Sequence, residues 1–553
     1  MKYDFDKPIN RQGTHCVKWD MAPHYPQTPT PNPSRGEGSL DTLSHQAIAT
    51  EANQAPLPSG DWGLQSSHRC GCGPTKGSES LIRDGGQDGG GFIPLWVADM
   101  DFEAAPAIRE ALQKRVEHGV FGYAIVQDSY YDAVINWYER RHQWHIEREW
   151  IQYTTGVVPA ISAVIKALTM PGERVLIMTP VYNCFFSSIR NNGCEVLESK
   201  LVPVEAKSPQ IPTPNLPSVA NEGFAPLCGA AATPVAALKA PVARGEGGLN
   251  TLSSDDATSN AIQAPLPSGG GGGGYQSGSL LTYSVDWDDF ERKCADEKCT
   301  VFLLCNPHNP AGRVWTREEL QRMNDICQRH HVRIISDEIH CELTMPGYEF
   351  VPMGRLTPLP LSESEGSKYP QGDDPQAEMH STPLPLREGQ GGGSPIICCS
   401  PSKSFNTAGL QMANIICADA ETRRRIDRAI NINEICDVNP FAPLAVEAAY
   451  NESEDWIDEL NQYLWGNYQA LLAFFAEQLP QLKVFKLEGT YLVWVDITAL
   501  RVSADEIEEK LLREARVWVN SGTMYGADGY IRINIATQRA RLMEGLRRMA
   551  RVI

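Results

Sequence analysis

The chain has 553 residues, 42% of them hydrophobic, which is enough for a large core shared between two lobes. Its formal net charge of −19 and isoelectric point near 5.2 supply none of the basic surface that nucleic acid rewards. No apolar stretch approaches the roughly 20 residues that cross a bilayer, Met1 to Asp6 lacks the apolar core of a secretory leader, and the fifteen cysteines form no framework. The expectation is a cytoplasmic enzyme with neither membrane nor nucleic-acid partners.

Three segments, about 26–91, 203–279 and 357–394, lose hydrophobic periodicity and become rich in Pro, Gly, Ser and Thr. Such chain buries too little apolar area to offset its ordering entropy, so they read as loops or disorder. They share sequence: Arg35-Gly-Glu-Gly-Ser-Leu-Asp-Thr-Leu-Ser44 returns as Arg244-Gly-Glu-Gly-Gly-Leu-Asn-Thr-Leu-Ser253, and Ala55-Pro-Leu-Pro-Ser-Gly60 returns as Ala264-Pro-Leu-Pro-Ser-Gly269. A solenoid would carry its repeat through the whole chain. These read instead as insertions into surface loops of an existing enzyme, where length carries only a logarithmic entropic cost. Removing them leaves roughly 375 residues, a plausible two-lobed enzyme. The Cys70-Gly-Cys72 pair has no second ligand pair at zinc-like spacing, so no metal is expected.

In chain order, the rest alternates. Ala107 to His118 is helical, as is the stretch after Pro159, and Arg174 to Met178 is a short apolar run of strand type. Val301 to Cys305 is a second strand, and Thr316 to His330 a helix opened by the capping box Thr316-Arg-Glu-Glu319. Val332 to Ser336 and Pro395 to Cys399 are two more buried strands. Beyond about Asn433 come a long helix from Trp456 to Leu479, strands at Tyr491 to Asp496 and Tyr530 to Ile535, and a helix from Ala504 to Ala515. The pattern is α/β: a large domain over 119–432 with a mainly parallel sheet between helices, and a smaller α+β domain built from 433–553 with part of an arm over 1–118.

Parallel sheets place ligands beyond the carboxyl ends of their strands. Polar segments stand at four such ends: Thr179-Pro-Val-Tyr182, Asn306-Pro-His-Asn-Pro-Ala-Gly312, Asp337-Glu-Ile-His340 and Ser400-Pro-Ser-Lys403. In this order the motifs resemble fold type I pyridoxal 5′-phosphate enzymes of the class I/II aminotransferase superfamily, and within it the cystathionine β-lyase branch of C–S lyases. Arg11-Gln-Gly-Thr14 with Lys18-Trp-Asp20, Trp96 to Phe102, His118 to Tyr123 and Tyr530 to Asn534 extend the resemblance over all but the three segments. The interval from Asp337 to Lys403 exceeds the family's by about the length of the third segment.

The resemblance implies that Lys403 holds the cofactor as a Schiff base and moves the Cα proton. Asp337 would keep the pyridine nitrogen protonated, although an Asp after a strand is also a common helix N-cap. Asn309 and His340 would face the phenolic oxygen; His340 stands where many aminotransferases have tyrosine, and could equally be a structural histidine. Gly156, Val157 and Val158 at a helix start, with Ser400 and Ser402, would hold the phosphate. Tyr182 would stack on the ring, Tyr123 would reach the cofactor of a second subunit in a homodimer, and Arg532 would bind the carboxylate of a small amino-acid substrate through its two-donor fork. The implied reaction is α,β-elimination of cystathionine or a related cysteine S-conjugate. A class I/II aminotransferase uses the same constellation, and a regulatory binding protein on this fold would be marked by loss of Lys403 or Asp337, both of which are present.

Overall fold

The protein was analysed as a computed structural model that describes residues 1–20, 91–206, 280–356, 393–432 and 437–553. Most of the three low-complexity segments, and Cys70-Gly-Cys72 with them, lie outside the described residues.

The strands are, in chain order, β1 (Ile93–Pro94), β2 (Ile151–Thr154), β3 (Arg174–Thr179), β4 (Glu195–Lys200), β5 (Val202–Glu205), β6 (Leu281–Ser284), β7 (Cys299–Cys305), β8 (Arg333–Asp337), β9 (Ile396–Cys399) and β10 (Ala413–Ile416). They continue with β11 (Lys483–Val484), β12 (Leu492–Asp496), β13 (Val517–Trp518), β14 (Asn520–Ser521) and β15 (Tyr530–Asn534). Seven of them form one sheet in the order β2-β10-β9-β8-β7-β3-β4, parallel except at β10, which runs antiparallel to both neighbours.

The apolar runs are continuous because both faces of the sheet are covered. Val301, Leu303 and Cys305 join one core with Val175, Ile177 and Ile396; Phe302 and Leu304 join the other with Leu176, Met178 and Ile397. Successive side chains of a strand point to opposite faces, so a run with no polar interruption is what two buried faces require. The first core is roofed by helices Val157–Leu168, Asn183–Asn191 and Ala420–Asn431, and the second continues through the buried residues of β12 and β15.

Helix Arg317–Arg329 starts as its sequence predicts. Thr316 Oγ1 accepts from Glu319 N at 3.2 Å and Glu319 Oε2 accepts from Thr316 N at 2.9 Å. A second sheet has the order β11-β12-β15-β14, and in it Arg532 pairs with Trp494 on one side and Asn520 on the other. Helix Glu454–Gln478 and helix Arg539–Ala550 pack against it. The predicted helix Ala504 to Ala515 is α-helical over Ala504–Lys510 and continues as a single π turn, Leu511–Ala515.

One boundary needs correction. The second low-complexity segment was placed from residue 203, but Val202–Glu205 is a strand paired antiparallel with β6, and Ala206 N donates to Leu280 O at 2.8 Å. The chain departs from and returns to one end of a hairpin.

Gly312 fixes the loop after β7 against the turn that precedes β12. Its carbonyl accepts from Glu488 N and Gly489 N, its φ is +66°, and a Cβ there would stand 2.6 Å from Leu487 Cδ1. Gly312→Ala combines left-handed backbone strain with overpacking, and is expected to destabilise the fold by about 2 kcal/mol. A urea midpoint unchanged from wild type would contradict that account.

Candidate active site

Lys403 sits in the turn that follows β9, and its Nζ donates to Ala98 O at 2.7 Å. Burial lowers the amine below the ordinary lysine value and Arg532 lowers it further, while Asp99, Asp337 and Cys184 act in the opposite direction. The lysine is therefore biased toward the neutral, nucleophilic form.

Asp337 ends β8, 3% exposed, and its Oδ1 accepts from Ile339 N at 3.2 Å. Burial pushes its carboxyl up to about 7, against the pull of Lys403 and the Ile339 amide. A buried acid held in this range lacks a close cation. Its neighbour Glu338, accepting from Ser336 Oγ and Met353 N at 2.9 Å each, is raised to about 8 by the same burial.

Arg532 lies in the middle of β15, 3% exposed, with its Nη1 donating to Asn309 Oδ1 at 3.1 Å and its Nη2 to Trp96 O at 2.8 Å. Its Nε has no partner, and its guanidinium lies 4.8 Å from the centre of the Tyr525 ring. Tyr525, whose hydroxyl accepts from Asn520 Nδ2 at 2.8 Å, was not singled out from sequence; its signal is only its place in Gly522-Thr-Met-Tyr-Gly526, just before the arginine strand.

His340 is buried, with Nδ1 unpartnered and its ring edge-on to Tyr491 at 6.0 Å. Burial lowers it to about 3, and the positive charges of Lys403 and Arg532 act in the same sense, so it is a neutral imidazole. Tyr182 caps helix Asn183–Asn191 near Asp337, and burial raises its hydroxyl well above the ordinary tyrosine value.

Gly156 is the N-cap of helix Val157–Leu168, and no side chain caps that helix. The amides of Val157 and Val158 belong to its first turn, where N–H groups suit an anion. Thr154, which ends β2, and Cys399, which ends β9, pair with the adjacent residues Ala413 and Asn414 of β10, so this helix start and Ser400 stand at the same sheet edge. Ser400 Oγ donates to Met412 O at 2.6 Å and accepts from Ser402 N at 3.0 Å, which commits its proton inside the turn. Tyr123 stands apart from these groups on a loop, 98% exposed.

Pyridoxal 5′-phosphate fits these residues. An acid held near neutrality by burial, an imidazole Nδ1 and a guanidinium Nε without partners, and an uncapped helix start are the groups that a ring nitrogen, a phenolic oxygen, a carboxylate and a phosphate would satisfy. Among the described residues one other group of metal-competent side chains, His142, Cys341 and Glu342, lies within 4.8 Å. Glu342 already accepts from His142 Nε2 and Trp137 Nε1 at 2.7 Å and faces Arg141 Nε at 3.7 Å. Its lowered carboxyl, about 2 despite burial and held there by His142, Trp137 and Arg141, marks a satisfied ion pair.

A sheltered lysine after one parallel strand, with a buried acid ending the next and an arginine fork opposite, defines a fold type I pyridoxal-phosphate enzyme. The sequence of the aminotransferase class I and II family matches residues 91–208 and 276–549, and the chain belongs to that family. It is 31% identical over 459 residues to cystathionine β-lyase PatB of Bacillus subtilis (strain 168), covering 83% of this chain and 91% of that one. Protein MalY of Escherichia coli (strain K12) is 25% identical, covering 82% and 90%. Among solved structures, a pyridoxal-phosphate-bound protein of Clostridium difficile 630 is 28% identical with a TM-score of 0.65, covering 99% of each chain. Cystalysin of Treponema denticola shares the fold at 24% identity and the same TM-score, covering 100% and 99%. The protein is thus a pyridoxal 5′-phosphate enzyme of the C–S lyase and aminotransferase family.

Because native Asp337 binds a proton more tightly than the unfolded chain does, the native state holds more protons between 3.8 and about 7, and stability falls as pH rises through that window. In cofactor-free protein, Asp337→Asn should flatten that part of the melting-temperature profile, although Glu338 adds a slope of the same sign to both proteins. A variant profile as steep as wild type would contradict burial as the cause.

Proposed function

We propose that the protein is a C–S β-lyase that eliminates the sulfur substituent of L-cystathionine, or of a related cysteine S-conjugate, to give a thiol such as homocysteine, pyruvate and ammonia. The observation that carries this is the Lys403, Asp337 and Arg532 constellation in a chain 31% identical to a cystathionine β-lyase over most of both lengths. The cofactor, when bound, supplies an electron-withdrawing ring that can store the electron pair left at Cα.

The chain's residues do the rest. Arg532 binds the substrate α-carboxylate through its fork, exchanging contacts with Asn309 and Trp96 for contacts with the ligand. Lys403, biased toward the neutral amine, is placed to take the Cα proton at Nζ and to hand a proton on to the departing sulfur. Asp337 keeps the ring nitrogen protonated, and that cation in turn favours ionised Asp337. The Asn309 side-chain amide and the neutral His340 would face the phenolic oxygen, Tyr182 would stack on the ring, and the first turn after Gly156 with Ser402, and with Ser400 once its hydroxyl turns from Met412 O, would hold the phosphate. In this assignment the low-complexity segments are insertions into the family's sequence. The family match breaks between 208 and 276, where β5 and β6 bring the flanking chain together. Ten of the eleven described cysteines are buried or half-buried free thiols, Cys184 aside, which suits a reducing cytoplasm.

An aminotransferase remains the second reading, since the matching family carries that description. Purified protein given cystathionine without a keto acid should release pyruvate and free thiol; amino-group transfer alone would sink the lyase. Lys403→Ala should lose both turnover and the visible absorption of the protein-bound cofactor, and full retained activity would overturn the assignment.

The homodimer is proposed from the loop that carries Tyr123. Val120, Phe121, Tyr123 and Ile125 are 61%, 52%, 98% and 78% exposed, a concentration of apolar surface that suits a protein contact. If Tyr123 reaches the partner's cofactor, Phe121→Asp should shift sedimentation toward a monomer and weaken cofactor retention together. Monomer with undiminished cofactor affinity would remove Tyr123 from the site.

A further inference from the structure

The segment Trp96–Asp101 carries two of the contacts on which the site depends. Trp96 O accepts from Arg532 Nη2 at 2.8 Å and Ala98 O accepts from Lys403 Nζ at 2.7 Å. A backbone carbonyl can set the place of a side chain only as well as the backbone itself is held. Here it is held from three directions. Asn534, two residues beyond Arg532 on the same strand, donates its Nδ2 to Val97 O at 2.5 Å and to Asp99 O at 2.8 Å. Asn406, three residues beyond Lys403, exchanges bonds with Met100 N and O and donates to Phe102 O.

The third hold comes from the amino-terminal arm. Arg11 Nη1 and Nη2 grip Asp99 at 3.1 and 2.7 Å, and Nη1 also reaches Met100 O at 2.7 Å and Asp101 Oδ1 at 3.1 Å. Lys18 Nζ donates to Asp99 O at 3.0 Å and to Asp101 Oδ2 at 3.1 Å, with both side chains fully buried. Trp19 Nε1 donates to Asp101 Oδ1 at 2.9 Å.

We infer that Arg11 and Lys18 are positioning residues for the reaction: by fixing Asp99 and Asp101 they hold Trp96–Asp101 so that its carbonyls place Lys403 and Arg532, and its Asp99 carboxylate faces the lysine. A fully buried ion pair is a poor way to gain stability, because desolvation offsets most of its attraction and an apolar pair would serve as well. What the pair does provide is direction, since each donor is matched to one oxygen on a segment whose own carbonyls face the site. The charged and titratable groups around Lys403 are Asp99 on this segment, Asp337 on β8, His340 in the turn after it, Arg532 on β15 and Cys184 on helix Asn183–Asn191, so Asp99 is one of two carboxylates that favour its ammonium form.

The inference rests on Lys403 and Arg532 having the roles proposed above, and the test separates the two. In cofactor-free protein, acetylation of Lys403 followed by mass spectrometry across pH gives the amine's titration midpoint without any turnover. Asp99→Asn keeps the shape and removes the charge, so the midpoint should move to lower pH. Arg11→Lys keeps a cation but loses the fork, and in the holoenzyme should raise KM for the amino-acid substrate on the order of tenfold through misplacement of Arg532. If both variants fold and keep the wild-type midpoint and KM while losing only melting temperature, the arm is structural and the inference is wrong. Retained turnover in Lys403→Ala would instead remove the underlying assignment.

Discussion

A sheet covered on both faces leaves almost no place for charge except beyond its strand ends, and this protein gathers a lysine and a carboxylic acid there, with an arginine supplied by a strand of a second sheet. Val301 to Cys305 and Ile396 to Cys399 are buried along their full length, so the polar groups that follow these strands crowd into the turns at 306–312, 337–340 and 400–403. The crowding is what makes the site reactive. Lys403 and Asp337 sit where water cannot reach them freely, and both are pushed toward their neutral forms by the same desolvation.

The opposed shifts of Lys403 and Asp337 express one cause. Burial lowers the amine and raises the acid to about 7, and the attraction between them only partly restores either. Such a site is incomplete electrostatically, with Arg532 Nε and His340 Nδ1 lacking partners as well. A flat, anionic cofactor with a basic ring nitrogen would supply a cation for Asp337, an acceptor for His340 and charge for the helix start at Gly156, and the substrate carboxylate would complete Arg532. Glu342, by contrast, is equally buried but fully paired, and its lowered carboxyl near 2 belongs to a structural knot.

Much of this was legible in the chain. Strands β7, β8 and β9 announced themselves because two buried faces demand uninterrupted apolar residues, and Arg532 stood out as a charge inside such a run. The edge strand β4 did not, since Glu195-Val-Leu-Glu-Ser-Lys200 is half exposed and reads as amphipathic chain. Strands β2 and β10 are as short as β9, but Ile151-Gln-Tyr-Thr154 and Ala413-Asn-Ile-Ile416 are interrupted by polar residues, so neither shows the unbroken apolar run that marks Ile396-Ile-Cys-Cys399. The hairpin of β5 and β6 was partly absorbed into a low-complexity segment because Pro203 in an exposed two-stranded ribbon carries little burial signal. Tyr525 and the segment Trp96–Asp101 were missed as parts of the site for a different reason. Their contribution comes through a ring face and through backbone carbonyls, neither of which has a residue-type signature at a distance in sequence.

The central claim is that Lys403 is the lysine to which the cofactor is joined. Borohydride reduction of the holoenzyme, followed by proteolysis and mass spectrometry, fixes the cofactor on its lysine and reads which peptide carries it. The account predicts a single labelled peptide containing Ser400-Pro-Ser-Lys-Ser-Phe-Asn406 with the added mass on Lys403; a label on any other lysine, with Lys403 unmodified, would contradict it.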